Sequence, residues 1–394
     1  MNILFYRYKS IYEADMLDAF KTAGLNVIEV YDSTEKISLN DKERVSILDE
    51  YIDKYEPLFV YGINYFPIIA EICRIHNIPY LCQTVDSPIL TLFSETIKYP
   101  TNRIFLFDGA QYDFFHDFNP SCIYHLPLAS AVYRFDKIIK SINNDDRRRF
   151  SSDISFVGST YREKDPYAGI KGLSDYTKGY VSALAECCMN IYGYYPVKDV
   201  IDQGIVDDFK KTMGLGFPTA DKVVTQSDKY VISHEYIGSH VAVVERERTL
   251  NALAENFNVD LYTGSDTSAL QNVRVHEKVR SFDEMPKIFN LSRINLNITM
   301  RPIETGLPLR CFDILGCGGF LMTNYQPEIE DMFVIGKDLE AYSGIEELID
   351  KCRYYLTHED ERKRIAENGY AKVCESHTHF HRLKSMLDTV TSPL

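Results

Sequence analysis

The 394-residue chain contains no tryptophan, against 28 tyrosines and 22 phenylalanines. Any stacking on a sugar or base therefore falls to Tyr or Phe. Its nine cysteines include no Cys-x-x-Cys pair. That argues against a zinc site or a disulfide scaffold, and for reduced thiols inside apolar segments such as those around Cys73, Cys187, Cys311 and Cys317. No apolar run approaches the roughly 18 residues that span a bilayer. The opening Met1-Asn2-Ile3-Leu4-Phe5 reads as a strand rather than a signal peptide, so a cytoplasmic location is expected. Basic residues are in the minority, 43 Lys and Arg against 57 Asp and Glu, for a formal charge of −14. This excludes nonspecific nucleic-acid binding, which needs a basic surface, but leaves room for a local basic pocket. The turn after the first strand, Arg7-Tyr8-Lys9-Ser10, lacks the glycines of a nicotinamide site. No Asp-x-Asp follows a strand and no His/Asp/Glu cluster has ligand spacing, so neither a metal nor a cofactor is expected.

What is present is strand–helix alternation. Asn2–Tyr6, Asn26–Tyr31, Leu58–Gly62, Pro79–Gln83, Arg103–Phe107 and Cys122–Leu126 read as strands. Helices are expected over Ile11–Ala23 and from about Pro67 to His76. The polar stretch Lys137–Phe150, with Asn143-Asn144-Asp145-Asp146-Arg147-Arg148-Arg149, reads as a solvated linker closing a first domain at 1–150. Asp153–Val157 starts a second unit, 151–375, interrupted by a Tyr-rich helical insertion at about 165–235 without strands. Alternation resumes with helix Val244–Glu255, strands Val259–Thr263 and Val273–His276, helix Asp283–Leu291 and strand Asn295–Ile298. Helix 309–315, strand 319–323 and helix 344–357 complete it. The rhythm implies doubly wound parallel sheets, which bind ligands at the carboxyl ends of their strands.

Three motifs carry candidate chemistry. In Arg310-Cys311-Phe312-Asp313-Ile314-Leu315-Gly316-Cys317-Gly318-Gly319 a carboxylate near a helix start precedes a glycine run. Asp313 would accept ribose hydroxyls, and the glycines would let backbone N–H groups approach phosphates; the alternative is a packed helix with a glycine C-cap. Just upstream, Gly306 frees N–H groups before the helix, Arg310 suits a phosphate, and Glu304 would orient a donor sugar or favour the helix's positive end. In Gly158-Ser159-Thr160-Tyr161-Arg162-Glu163-Lys164, a buried strand ends in a turn with a hydroxyl and two cations; Gly158, Ser159, Arg162 and Lys164 would take a diphosphate. In Thr84-Val85-Asp86-Ser87-Pro88, Asp86 ends a central strand and is a candidate general base or acceptor ligand, or a helix N-cap. The loop Tyr6–Tyr12 and Asn64-Tyr65 are weaker candidates for acceptor contacts.

Two α/β domains joined by a linker resemble the GT-B architecture of nucleotide-sugar glycosyltransferases, in which two Rossmann-like domains face a cleft. More narrowly, Leu309–Asn324, Glu361-Arg362-Lys363-Arg364-Ile365-Ala366-Glu367-Asn368-Gly369 and His377-Thr378 resemble the signature of the CgeB-like (spore maturation protein) glycosyltransferases. Val85-Asp86-Ser87-Pro88, Phe107-Asp108 and Leu126-Pro127-Leu128-Ala129 look like the N-terminal domain that accompanies it. The resemblance implies donor binding in the second domain, acceptor binding in the first, no metal, and a final segment 376–394 packing back on the first domain. Related retaining enzymes pair two glutamates eight positions apart. Here Asp313 stands at the later position, Thr305 at the earlier, and Glu304 one residue away, so the stereochemistry is left open. The expected function is metal-independent transfer of a sugar from a nucleotide-diphosphate donor, with UDP the expected nucleotide, to a glycan or protein acceptor. The alternatives are a nucleotide-sugar epimerase and a catalytically silent GT-B module that binds sugar nucleotides.

Overall fold

The computed structural model describes residues 1–32, 40–218, 223–225 and 227–390. The chain divides into two compact units: Met1–Ala129 with Ala220–Gln226 and His377–Leu394, and Ser130–Thr219 with Ser227–Ser376. Residues 219–222 and 226 of the insertion, and 391–394 of the final segment, lie outside the described residues.

The first unit is built on β1 (Asn2–Arg7), β2 (Asn26–Tyr31), β3 (Val60–Ile63), β4 (Tyr80–Gln83), β5 (Asn102–Leu106) and β6 (Ile123–His125). They form one parallel sheet in the order β2-β1-β3-β4-β5-β6. β3, β4 and β5 are buried along their whole length, which is why they show no polar–apolar alternation. A helix absent from the sequence reading, Asp41–Tyr55, starts at a capping box in which Asn40 accepts the Glu43 N–H and Glu43 reaches back to the Asn40 N–H. The last helix, His379–Val390, packs on helix Glu13–Thr22 and on β5. Arg382 donates to the carbonyls of Pro127 (2.6 Å) and Leu128 (2.9 Å), and Arg103 to that of Thr389 (3.1 Å).

The second unit carries β7 (Ser152–Val157), β8 (Val259–Tyr262), β9 (Arg274–His276), β10 (Ser292–Asn297), β11 (Leu321–Asn324) and β12 (Glu340–Tyr342), in the parallel order β12-β11-β10-β7-β8-β9. Its core gathers Ile154, Phe156, Leu261, Ile294 and Leu296 from the strands with Leu250 and Leu253 from the helix before β8.

Three boundaries differ from the sequence reading. The first unit ends at Ala129 rather than 150, because the supposed linker is two helices, Val132–Lys140 and Asn144–Phe150, that pack on helix Met285–Leu291. The run Asn143–Arg149 that looked like a solvated loop is a capped helix, with the Asn143 side chain accepting the N–H groups of Asp145 and Asp146. Within the insertion, residues 223–225 belong to the first unit: Val223 bridges Ser94, and the Val224 N–H meets the Phe93 carbonyl at 2.8 Å.

Strand order locates the switch points. In each sheet the chain starts in the interior, moves to one edge, then returns beside its first strand and moves to the other. The reversal falls between β1 and β3 in the first unit, and between β7 and β10 in the second. Loops leaving the carboxyl ends of such a pair diverge and open a crevice where ligands bind.

Candidate functional site

In the second unit the switch-point loops are 158–164, after β7, and 298–308, after β10. The first is tightly folded. Ser159 Oγ lies 2.9 Å from Ser265 Oγ and 3.1 Å from Glu163, and accepts the Tyr161 N–H at 2.8 Å. Tyr161 is left-handed, with φ 66°, a conformation that non-glycine residues keep only when their surroundings enforce it. Arg162 is held fork-to-fork by Glu247 at 2.7 and 2.8 Å, and the Lys164 ammonium sits 5.5 Å from the Tyr161 ring.

The residue that joins the two loops is Arg246, which sequence reasoning did not single out. It lies on helix Gly238–Ala254; its Nη1 donates to the Ser159 carbonyl at 2.6 Å and its Nη2 to that of Ile298 at 2.8 Å. Tyr161 covers the guanidinium at 4.3 Å. Arg246 is buried, its two bonds go to neutral carbonyls, and its Nε has no partner among the described residues. Burial lowers its affinity for its proton, Tyr161 and Glu245 act the other way, and the positive charge of Arg310 lowers it further. Two cations, Arg246 and Arg310, thus share the neighbourhood of the switch point, where a negative charge would be stabilised.

Loop 298–308 is braced from below. Arg301, buried, forks onto Glu245 at 3.0 and 2.7 Å and donates to the Ile191 carbonyl at 2.6 Å. Gln326 donates to the Ile303 carbonyl at 3.0 Å, and Thr305 Oγ1 to Glu328 at 2.7 Å. Gly306 is buried in this loop. Glu304 pairs with Lys198 and with His234 Nε2, the latter at 3.2 Å.

The helix after this loop, Leu309–Gly316, falls where helix 309–315 was expected. Asp313 is its fifth residue; it is 6% exposed, and its Oδ2 lies 3.6 Å from Arg310 Nη1. Arg310, in the first turn, lies against Met285 and the Phe289 ring. The glycines serve packing and chain reversal. A Cβ on Gly316 would overlap the Ser130 hydroxyl, and one on Gly319 would fall 2.5 Å from the Phe289 carbonyl and 2.7 Å from Asn295 Nδ2. Gly318 takes φ 68° past the helix end. The packing alternative therefore accounts for this run. Gly319→Ala is expected to destabilise the unit by about 2 kcal/mol through overpacking. Urea unfolding followed by far-UV circular dichroism measures this, and an unchanged midpoint would contradict the packing account.

In the first unit, Asp86 lies on the loop after β4 and is exposed. Its Oδ2 accepts from Asn64 Nδ2 at 2.7 Å, the same nitrogen lies 3.0 Å from the Tyr8 hydroxyl, and Asn64 Oδ1 accepts the Val85 N–H at 3.0 Å. Asn64 thus ties together the loops after β1, β3 and β4. Both Lys9 (φ 75°) and Asn64 (φ 58°) are left-handed here. Burial, then the Asp86 charge, pushes the Tyr8 hydroxyl up to about 12, so it is a hydrogen-bonding group rather than a base near neutral pH. The loop after β1 is fixed by buried Glu13, which accepts the Tyr8 and Ser10 N–H groups at 2.7 and 3.0 Å.

Residues 246–388 match the family model described as glycosyl transferase-like. No curated protein sequence matches the chain. Among solved structures, a glycosyltransferase from Rickettsia africae ESF-5 superposes with a TM-score of 0.56 at 10% identity, covering 99% of this chain and 97% of that one. A sucrose-phosphate synthase from Thermosynechococcus elongatus gives 0.56 at 9% identity with 98% of each chain covered. Anabaena HepE in complex with UDP-glucose gives 0.55 at 10% identity with both chains covered in full. The chain thus has the GT-B fold, two α/β units each built on a six-stranded parallel sheet. Among the described residues no helix is long and apolar enough to cross a membrane.

Proposed function

We propose that this GT-B chain is a glycosyltransferase that moves a sugar from a nucleotide-diphosphate donor, with UDP as the nucleotide, to a glycan or protein acceptor without a metal. The observation that carries the reading is Arg246: a buried cation whose hydrogen bonds go to two neutral carbonyls, fixed to both switch-point loops and close to Arg310. A leaving diphosphate supplies the missing anion, and two arginines held in a region of low dielectric offer electrostatic stabilisation of the developing charge. The loop N–H groups after β7 and β10, with Ser159 and Gly158, are assigned to the same diphosphate. Asp313, one turn from Arg310, is assigned to the ribose, and Glu304 to the donor sugar. Arg162, satisfied by Glu247, and Lys164 contribute charge from the loop's outer side. In the first unit Asp86, oriented by Asn64, is assigned to the acceptor as general base or hydroxyl ligand. The glycosyl transferase-like match over 246–388 supports this reading, and the narrower CgeB-like assignment rests on the resemblance of the 309–324 run. Nine cysteines without a disulfide fit a reducing cytoplasm.

Thermal unfolding in UDP, GDP, dTDP and CMP and their sugar esters tests the donor reading. Binding to the folded state at about 100 times Kd adds about 2.7 kcal/mol, or a rise of roughly 5–10 °C for a unit of this size. UDP and UDP-sugars are expected to give that rise, and Asp313→Asn to reduce it. Asp86→Asn is expected to keep the rise while slowing donor turnover. Should the wild-type protein neither bind nor hydrolyse any nucleotide sugar, the enzyme reading is lost. Interconversion of the donor sugar with no acceptor present would instead make it an epimerase.

A further inference from the structure

Tyr161 is held in a conformation that tyrosine seldom adopts. Its φ of 66° and ψ of 0° lie in the left-handed region, where a side chain crowds the backbone and glycine is favoured. The loop enforces it: the Tyr161 N–H donates to Ser159 Oγ at 2.8 Å, and the Tyr161 carbonyl accepts the Lys164 N–H at 2.8 Å. What this backbone achieves is the placement of the ring. Half-buried, it covers the Arg246 guanidinium at 4.3 Å, with the Lys164 ammonium 5.5 Å from its centroid. The Phe156 ring, near the end of β7, offers Arg246 a second face at 5.5 Å, and a Cβ on Gly158 would press on that ring at 3.3 Å. Burial disfavours the Arg246 charge, and Tyr161 is foremost among the groups that favour it. The ring faces cover the guanidinium from outside its plane, while the bonds to the Ser159 and Ile298 carbonyls fix it within the plane. Its Nε is left without a partner among the described residues.

We infer that Tyr161 is a positioning residue for the diphosphate: its ring fixes the plane of the Arg246 guanidinium, so that the Nε edge is presented to phosphate oxygens. The inference rests on the donor reading proposed above. Contact between a guanidinium fork and a phosphate is planar, so a plane fixed beforehand spares binding the cost of ordering it. The left-handed backbone at Tyr161 is then strain retained for function rather than an accident of the turn. A cation–π contact shielded from water is worth roughly a tenfold change in affinity.

Calorimetric titration of the full chain with UDP, ADP, GDP, dTDP and inorganic pyrophosphate provides the test. For whichever of these binds wild type, Tyr161→Leu is expected to weaken affinity roughly tenfold, and Tyr161→Phe, which keeps the ring, to stay within about twofold. In an Arg246→Met background, Tyr161→Leu is expected to cost less than about twofold, because no guanidinium remains to be oriented. Tyr161→Gly, which frees the backbone of left-handed strain and so guards against a misfolded loop, is expected to bind as weakly as Tyr161→Leu. Wild-type affinity in Tyr161→Leu or Tyr161→Gly overturns the positioning role and leaves the donor reading standing. So does a Tyr161→Phe variant as weak as Tyr161→Leu, or an equal cost of Tyr161→Leu with Arg246 present and absent. Wild type that binds none of these compounds overturns the donor reading and this inference together.

Discussion

Replacing Arg246 with methionine is expected to weaken UDP binding about a hundredfold, equivalent to about 2.7 kcal/mol. Two effects act together. The crevice loses a buried positive charge whose hydrogen bonds go to neutral carbonyls, and the loops after β7 and β10 lose the strut that joins the Ser159 and Ile298 carbonyls at 2.6 and 2.8 Å. Both carbonyls are then left short of a donor, which also lowers stability by about 2 kcal/mol. Arg246→Lys keeps the charge but not the planar fork, because an ammonium on a flexible stem does not bridge two diverging loops in the same way. It is expected to fall between wild type and Arg246→Met in affinity. Titration calorimetry at fixed ionic strength, well below each variant's melting temperature, separates the terms. Wild-type affinity in Arg246→Met would reduce the residue to a structural pillar and remove the main support for the proposed donor site.

Arg246 also shows where the sequence stops being readable. In Val243-Val244-Glu245-Arg246-Glu247-Arg248, alternating charges on a helix look like a solvated face. The structure sends the four charges to four destinations: Glu245 inward to Arg301, Arg246 inward to the two loops, Glu247 to Arg162 and Arg248 to Glu186. Burial of a charge is set by what arrives from elsewhere in the chain, here segments about 50 to 90 residues away in sequence. Local pattern carries none of that information. The strands were legible because a parallel sheet covered on both faces demands unbroken apolar runs. The helices at 132–140 and 144–150 were not, since short polar helices differ from loops only by caps such as Asn143. The glycine run after Asp313 misled in another way. Glycine is equally apt for backbone approach to a phosphate and for close helix packing, and only the neighbours of Gly316 and Gly319 decide between them. Asp86 was legible as a strand-end carboxylate, but its tie to Asn64 and Tyr8 depends on strand order, which places β1, β3 and β4 side by side.

The largest loss of stability is expected from Glu245→Ala. It leaves the Arg301 guanidinium, itself 6% exposed, without its counter-ion and bonded to the Ile191 carbonyl under the Tyr192 ring at 4.1 Å. Removing one partner of a buried ion pair costs about 3–5 kcal/mol, because the remaining charge stays desolvated. Arg301→Met in the Glu245→Ala background removes that stranded charge, so the double variant is expected to be more stable than Glu245→Ala alone. Denaturant midpoints of wild type, the two single variants and the double variant close the cycle. The consequence reaches the proposed donor site, since Arg301 anchors the loop that carries Glu304 and Gly306. Glu245→Ala should therefore lose UDP-sugar binding along with stability, and the double variant should regain stability while binding remains impaired, because its loop has lost the fork that fixed its path. Strictly additive costs would show the two residues to be uncoupled, and wild-type binding in the double variant would show that the fork does not position the loop.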